Sequence, residues 1–158
     1  MWVSSLMNFK YRKFRAPQIP GYATTKSFLR PVIPIEIINS SKSVTLYALI
    51  DSGSDYCIFH GSIGEQIGID VKSGVPQEII GIKNQPIKVY FHEVSLIIGG
   101  YKSQCNVGFA PEFDQTVPYA ILGQLGFFSR YIVTLNYQKE RIELKENKHT
   151  KKAKITSY

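Results

Sequence analysis

The sequence predicts one mostly β domain, and three observations carry that prediction. Its 158 residues suit a single domain with a hydrophobic core and leave little length for a second. At 44% hydrophobic and 13% aromatic it has enough apolar surface to fold, and Val, Ile, Tyr and Phe dominate that set. Those types suit a pleated, half-buried sheet. The apolar residues also come in short runs punctuated by Gly, Pro, Asn and Ser, not in long helical stripes.

Residues 1 to about 28 show no clean period, and Pro17 and Pro20-Gly21 break any element there. Tyr11, Phe14 and Phe28 are scattered through this arm and offer it contacts with a core or a neighbour. Ile33, Ile35 and Ile37 then alternate with Pro34 and Glu36, which predicts a strand that Pro34 restricts to an edge or a strand start. Asn39 to Ser43 turns the chain into Val44 to Ile50, a run too short and too β-branched for a helix. Beyond Asp51-Ser52-Gly53-Ser54, Tyr56 to His60 predicts another short strand. Ser62-Ile63-Gly64-Glu65 reads as a capping box opening a helix, with Ile63 and Ile67 on one face and Gly68 as its end.

A second hairpin is predicted from Glu78-Ile79-Ile80-Gly81, the turn Lys83-Asn84-Gln85-Pro86, and Ile87 to Phe91. Phe91 and Val94 are an odd number apart, so the apolar period slips, which predicts a β-bulge near His92-Glu93. Leu96-Ile97-Ile98, a Gly99-Gly100 turn and Val107 to Ala110 follow. Tyr119-Ala120-Ile121-Leu122-Gly123 is an apolar strand ending on Gly, continued by the helix-like stretch Gln124 to Ser129. A last hairpin pairs Tyr131 to Tyr137 with Arg141 to Leu144 across Gln138-Lys139-Glu140.

The chemistry concentrates at Asp51-Ser52-Gly53. A carboxylate delivered by a strand onto a Ser-Gly turn is how a hydrolytic aspartate is held, because Gly turns sharply and the hydroxyl bonds back to the main chain. This turn, with the second apolar strand ending at Gly123 and a helix expected after each, resembles the retroviral-type (retropepsin-like) aspartic proteases, including bacterial members. The resemblance covers about residues 31 to 145. It implies a closed acid-protease β-barrel with one or two short helices, a single domain completed as a homodimer. The expected division is a basic N-terminal arm over 1–30, the protease-like domain over 31–145 and a basic tail over 146–158.

What the resemblance implies residue by residue is specific. Asp51, Ser52 and Gly53 form the catalytic turn, with Ser52 bonding across a two-fold axis to its partner's turn. Ser54, Asp55, Gly81 and Ile82 are expected to bind substrate, and Ile121, Leu122 and Gly123 to brace the turn. Ser54 stands where retroviral enzymes usually carry Ala, and its hydroxyl is expected to donate to an Asp51 oxygen. The Arg that usually follows the second Gly and pairs with the Asp at position 55 is here Gln124, leaving Arg130 or an N-terminal Arg to replace it. The hairpin tip Lys83-Asn84-Gln85 is bulkier than the usual Gly-rich flap, with Gly81 as its expected hinge.

Such enzymes hydrolyse peptides with two Asp carboxylates sharing one proton around a water. Asp55, Asp70 and Asp114 do not precede Ser-Gly or Thr-Gly, so one copy lacks a dyad and a homodimer is expected to supply it. The expected function is an aspartic endopeptidase acting on proteins or peptides; the alternative is a non-catalytic peptide-binding or dimerisation module on the same fold.

Other classes are disfavoured. Cys57 and Cys105 lack metal-site spacing, so no metal or other cofactor and no disulfide framework is expected; they read as buried reduced thiols of a cytoplasmic protein. No apolar run approaches a membrane span. The net charge of +7 resides at the ends: six bases and no acid in residues 1–30, and five Lys against Glu146 in residues 145–158. Short solvated basic ends serve solubility, and nucleic acid is not expected as a partner. His60, His92 and Phe127-Phe128 read as structural.

Overall fold

The computed structural model of the chain describes residues 6–16, 26–80, 85–113 and 116–147. In order, the strands are β1 (Met7–Lys10), β2 (Arg12–Arg15), β3 (Ser27–Arg30), β4 (Val32–Asn39), β5 (Lys42–Ile50) and β6 (Ile58–His60). The helix α1 (Gly61–Gln66) and a 3₁₀ turn at Val71–Ser73 come next. The second half holds β7 (Val75–Ile80), β8 (Pro86–Ile98), β9 (Tyr101–Ala110), β10 (Ala120–Leu122), β11 (Tyr131–Asn136) and β12 (Arg141–Glu146). The fold is mostly β, as the composition predicts.

Six strands close into a barrel. The order β4-β5-β10-β6-β9-β8 returns to its start because β8 also pairs with β4, Glu36 to Ile38 lying opposite Ile97 to Ser95. Closure satisfies strand edges that would otherwise be open to aggregation. Pro34 sits on β4 before that second partner arrives, where its missing N–H costs least. The interior is filled by the inward-facing residues Ile33, Ile35, Ile37, Ala48, Ile50, Val94, Leu96 and Leu122, all buried. Full burial of one such large aliphatic side chain contributes about 1.5–3 kcal/mol.

β8 departs from expectation. Its pairing with β9 runs unbroken from Tyr90↔Phe109 to Ile98↔Tyr101, so there is no bulge at His92-Glu93. The phase slip instead reflects a strand buried on both faces in turn. Val89 and Phe91 belong to a separate apolar cluster with Ile58 and Ala110, whereas Val94, Leu96 and Ile98 enter the barrel core. The strand changes neighbours at the same place: β7 pairs with it up to Phe91, and β4 from Ser95. The tip of the β7–β8 hairpin, residues 81–84, lies outside the described residues.

The helix also starts differently. His60 is its N-cap and no side chain caps it, so Ser62 lies exposed within the first turn and the capping box does not form. The chain enters α1 straight from β6, at Gly61, where a Cβ would lie 2.9 Å from Pro111 Cα. The C-terminus follows expectation: Gly68 has φ +78, its N–H bonds Glu65 O, and Ile69 N–H bonds Gly64 O, the two bonds of a Schellman motif.

Outside the barrel, β1 pairs with β12 and β12 with β11. Met7 of the N-terminal arm is thereby buried in the main core beside Ile142 and Leu144. β2 and β3 form their own hairpin. Among the described residues no helix is long and apolar enough to cross a membrane.

Leu144 is fully buried and lies between Met7 of β1 and Val133 of β11. Leu144→Ala is expected to lower unfolding free energy by about 2–5 kcal/mol in urea titration, the range for a buried Leu that leaves a cavity. A loss below about 0.5 kcal/mol, the usual surface value, would remove this sheet from the cooperative core.

Candidate active site

The site is built by threading one short strand between two others. β10 lies between β5 and β6, parallel to β5 with Leu122 opposite Ile50, and antiparallel to β6 with Ile121 opposite Ile58. Asp51 leaves the end of β5, and its N–H bonds Leu122 O at 3.0 Å. The chain then reverses. Ser54 N–H bonds Asp51 O at 3.2 Å, and Gly53 N–H bonds Asp51 Oδ1 at 2.9 Å, which fixes the carboxylate against its own loop.

Beyond Gly123 the brace continues on the other arm of the turn. Gln124 N–H donates to Ser54 O and Leu125 N–H to Asp55 O, each at 2.8 Å. The Gln124 side chain donates to Ser52 O at 3.0 Å. Gly123 makes this possible: a Cβ there would run into Tyr56 O and lie 2.6 Å from Ser54 O. Glycine is required by close approach of backbone, not by an unusual φ.

Each expected site residue has a definite place. Asp51 is half-buried, while Ser52 and Gly53 are exposed at the tip. Ser54 is close to Asp51 in sequence, but its hydroxyl donates to Tyr56 O at 2.8 Å. A hydroxyl has one proton, so the expected bond from Ser54 to the Asp51 carboxylate is replaced by a bond that tightens the loop. Asp55 is exposed. Within the chain Arg130 donates to Gln104 O at 2.9 Å and forms no ion pair with Asp55. Arg30 donates to the Tyr119 hydroxyl. Leu122 enters the barrel core, and Ile121 faces the second cluster. Gly81 and Ile82 lie outside the described residues.

The stretch after Gly123 is a series of turns, not a helix. Gly126 has φ +105, which no regular helix accommodates, and Phe128 and Ser129 N–H groups reach back five residues to Gly123 and Gln124. His60 and His92 are tied to the main chain, as a structural role requires: His60 Nε2 bonds Val117 O at 2.9 Å and His92 Nε2 bonds Val71 O at 2.8 Å.

Two features escaped the sequence. Tyr56 packs edge-on against Phe91 at 5.1 Å and accepts a hydrogen bond from Gln77 Nε2 at 3.0 Å, linking the loop after Asp51 to β7. The even spacing from Ile58 was the available signal for its placement. The second is that Cys57 and Cys105 meet. A Cβ on Gly126 would lie 2.5 Å from Cys105 Sγ and 3.2 Å from Cys57 Sγ, while the Cys57 thiol donates to Leu125 O at 3.5 Å and the Cys105 thiol to Asn106 O at 3.8 Å. The neighbouring Cys105 thiol and burial push the Cys57 thiol well above its ordinary range.

No protein-family model and no curated protein sequence matches the chain. Solved structures do. The chain is similar to a retropepsin-like aspartic protease from Rickettsia conorii, with 12% identity and a TM-score of 0.54, over 91% of this chain and 94% of that one. It is also similar to the EIAV protease solved with an inhibitor, at 19% identity and a TM-score of 0.45, over 65% of this chain and 86% of that one. The retropepsin-like fold anticipated from Asp51-Ser52-Gly53 and Gly123 is therefore the fold of this chain.

Gly123→Ala is expected to destabilise the domain by about 3 kcal/mol or more, since backbone oxygens cannot yield as side chains do. Urea denaturation checks this; a change within about 0.5 kcal/mol contradicts the close packing described. Because Cys57 is buried and its thiolate disfavoured, iodoacetamide at neutral pH should leave it unlabelled in the native chain and label it after unfolding. Mass spectrometry showing rapid native labelling of Cys57 would contradict it.

Proposed function

We propose that this chain is an aspartic endopeptidase in which Asp51 of one copy meets Asp51 of a second. The observation that carries the proposal is the carboxylate on a braced turn: Asp51 is fixed by Gly53 N–H and Leu122 O, with exposed residues 52 and 53 at the tip. Asp55 is exposed, and Asp70 is the N-cap of a 3₁₀ turn; neither lies at the end of a braced strand. In this reading the second carboxyl comes from another copy, by two-fold symmetry.

Two carboxyls about 3 Å apart do not both ionise, so the pair holds one proton. The ionised member takes a proton from a water lying between them as its oxygen attacks the peptide carbonyl. The protonated member donates to the carbonyl oxygen, giving a neutral gem-diol. Collapse returns a proton to the leaving nitrogen and breaks the C–N bond. No bond forms between enzyme and substrate. In this scheme Ser52 bonds across the axis. Ser54, Asp55, Gly81 and Ile82 line the substrate path, and Ile121, Leu122 and Gly123 hold the turn. The two free thiols suit a reducing compartment, which supports a cytoplasmic location in this reading.

Asp51→Asn keeps side-chain size but removes the proton acceptor. Peptide-library cleavage is expected to fall by a factor of about a thousand or more with an unchanged circular dichroism spectrum. Equal cleavage by the variant removes Asp51 from the chemistry. Specific activity of the unaltered chain should also fall on dilution, in step with the dimer fraction measured by ultracentrifugation. A monomer with full specific activity refutes the shared site.

A further inference from the structure

A basic hairpin lies on the outer face of the strand that leads to Asp51, and Arg12, Lys13 and Arg15 on it are exposed. β2 and β3 place Arg12 opposite Arg30 and Arg15 opposite Ser27, with Lys13 between and no acid on either strand. The chain itself ties the hairpin to the site: Arg30 precedes Pro31, whose carbonyl accepts the Ile50 N–H at 2.9 Å, one residue before Asp51.

Strand alternation shows which surface the hairpin meets. Ala48 and Ile50 point into the barrel core, so Tyr47 and Leu49 point outward, and Asp51 continues their parity. On β10, Ile121 lies opposite Leu49 and is likewise outside, as part of the apolar cluster beside β7 and β8. An outward strip thus runs from Asp51 across Leu49 and Ile121 to Tyr47 and Tyr119. The hairpin lands at its far end. The Arg12 guanidinium lies 3.9 Å over the Tyr47 ring, Phe14 meets Tyr119 edge-on at 5.6 Å, and Arg30 lies 5.2 Å over Phe14.

Stacking engages the face of a guanidinium and leaves its edge N–H groups free for a carboxylate. Arg12 is exposed, and among the described residues the ion pair formed is Arg141–Glu143. Glu36, on the same outer face opposite Thr45, forms no ion pair with it. Tyr47 therefore presents an Arg that no described acid pairs with, already oriented for two-pronged recognition of a carboxylate. From Tyr47 to Asp51 is four residues of strand, about 13 Å, which an extended peptide also spans in about four residues.

We infer that Arg12, with Arg30 behind it, selects peptide substrates carrying Glu or Asp about four residues from the scissile bond. The inference rests on the peptidase reading for its register, and on the hairpin for its chemistry. The test uses short fluorescein-labelled peptides with an apolar centre and either Glu or Gln at one outer position. They are titrated by anisotropy into the full chain carrying Asp51→Asn, which cannot consume them. At one outer position the Glu peptide is expected to bind about tenfold more tightly than its Gln twin, the scale of one hydrogen-bonded charge. Arg12→Gln in that background should erase the ratio while the Gln peptide binds as before, and Arg12→Lys should restore part of it.

Equal affinity of Glu and Gln peptides at every position overturns the inference. So does an Arg12→Gln variant that weakens both peptides alike, which marks a structural role, or one that keeps the preference. The two readings fail separately. Acid-dependent binding without cleavage by the unaltered chain removes the peptidase and keeps the surface. Cleavage indifferent to the acidic residue does the reverse.

Discussion

Gly123 packs its backbone against the carbonyls of Ser54 and Tyr56, and the other features of the site follow from that contact. Only a residue without a side chain lets β10 lie between β5 and β6 and then cross under the turn. Once it does, Leu122 O receives Asp51 N–H, and the next two N–H groups bond Ser54 and Asp55 carbonyls. The turn carrying Asp51 is thus held from both arms by main-chain bonds, whose geometry is stiffer than that of any side-chain contact. Rigid support for a half-buried carboxylate is what acid–base chemistry requires, since proton transfer is sensitive to small misplacements.

The barrel supplies the rest of the rigidity. Its closure through β4 and β8 leaves β7 and the first half of β8 standing outside the ring, over the outer face that carries Ile121. Tyr56 links that pair to the loop after Asp51 through Gln77 and Phe91. Gln124 illustrates how a missing charge is replaced within one chain. Where an Arg–Asp pair was expected, an amide donates to Ser52 O and the main chain serves Asp55, so the loop is held without an ion pair.

Much of this was legible in the residues because local rules and tertiary demands agreed. The alternation at Ile33, Ile35 and Ile37, the Gly99-Gly100 turn with both φ values positive, and the apolar strand before Gly123 all formed as read. The misreadings share a cause: a local rule met a tertiary competitor. Ser62 and Glu65 satisfy the capping-box pattern, but the helix begins earlier because β6 delivers the chain to it at His60. The slip between Phe91 and Val94 resembles a bulge, yet a straight strand produces it when each face is buried in a different cluster. Ser54 donates to the Tyr56 carbonyl in place of the carboxylate expected of it. The pairing of β1 with β12 left no trace in the irregular first segment, because long-range pairing with a distant strand has no local period.

The central claim is that one chain carries half of a catalytic pair. Mixing the unaltered chain with a growing fraction of Asp51→Asn chain, allowed to exchange subunits, tests it most directly. If each active unit needs two Asp51 carboxyls, an equal mixture retains about a quarter of the peptidase activity of the unaltered chain at the same total concentration. Retention of about half, falling in proportion to the unaltered fraction, would mean that each chain works alone, and the account of a shared site would be wrong.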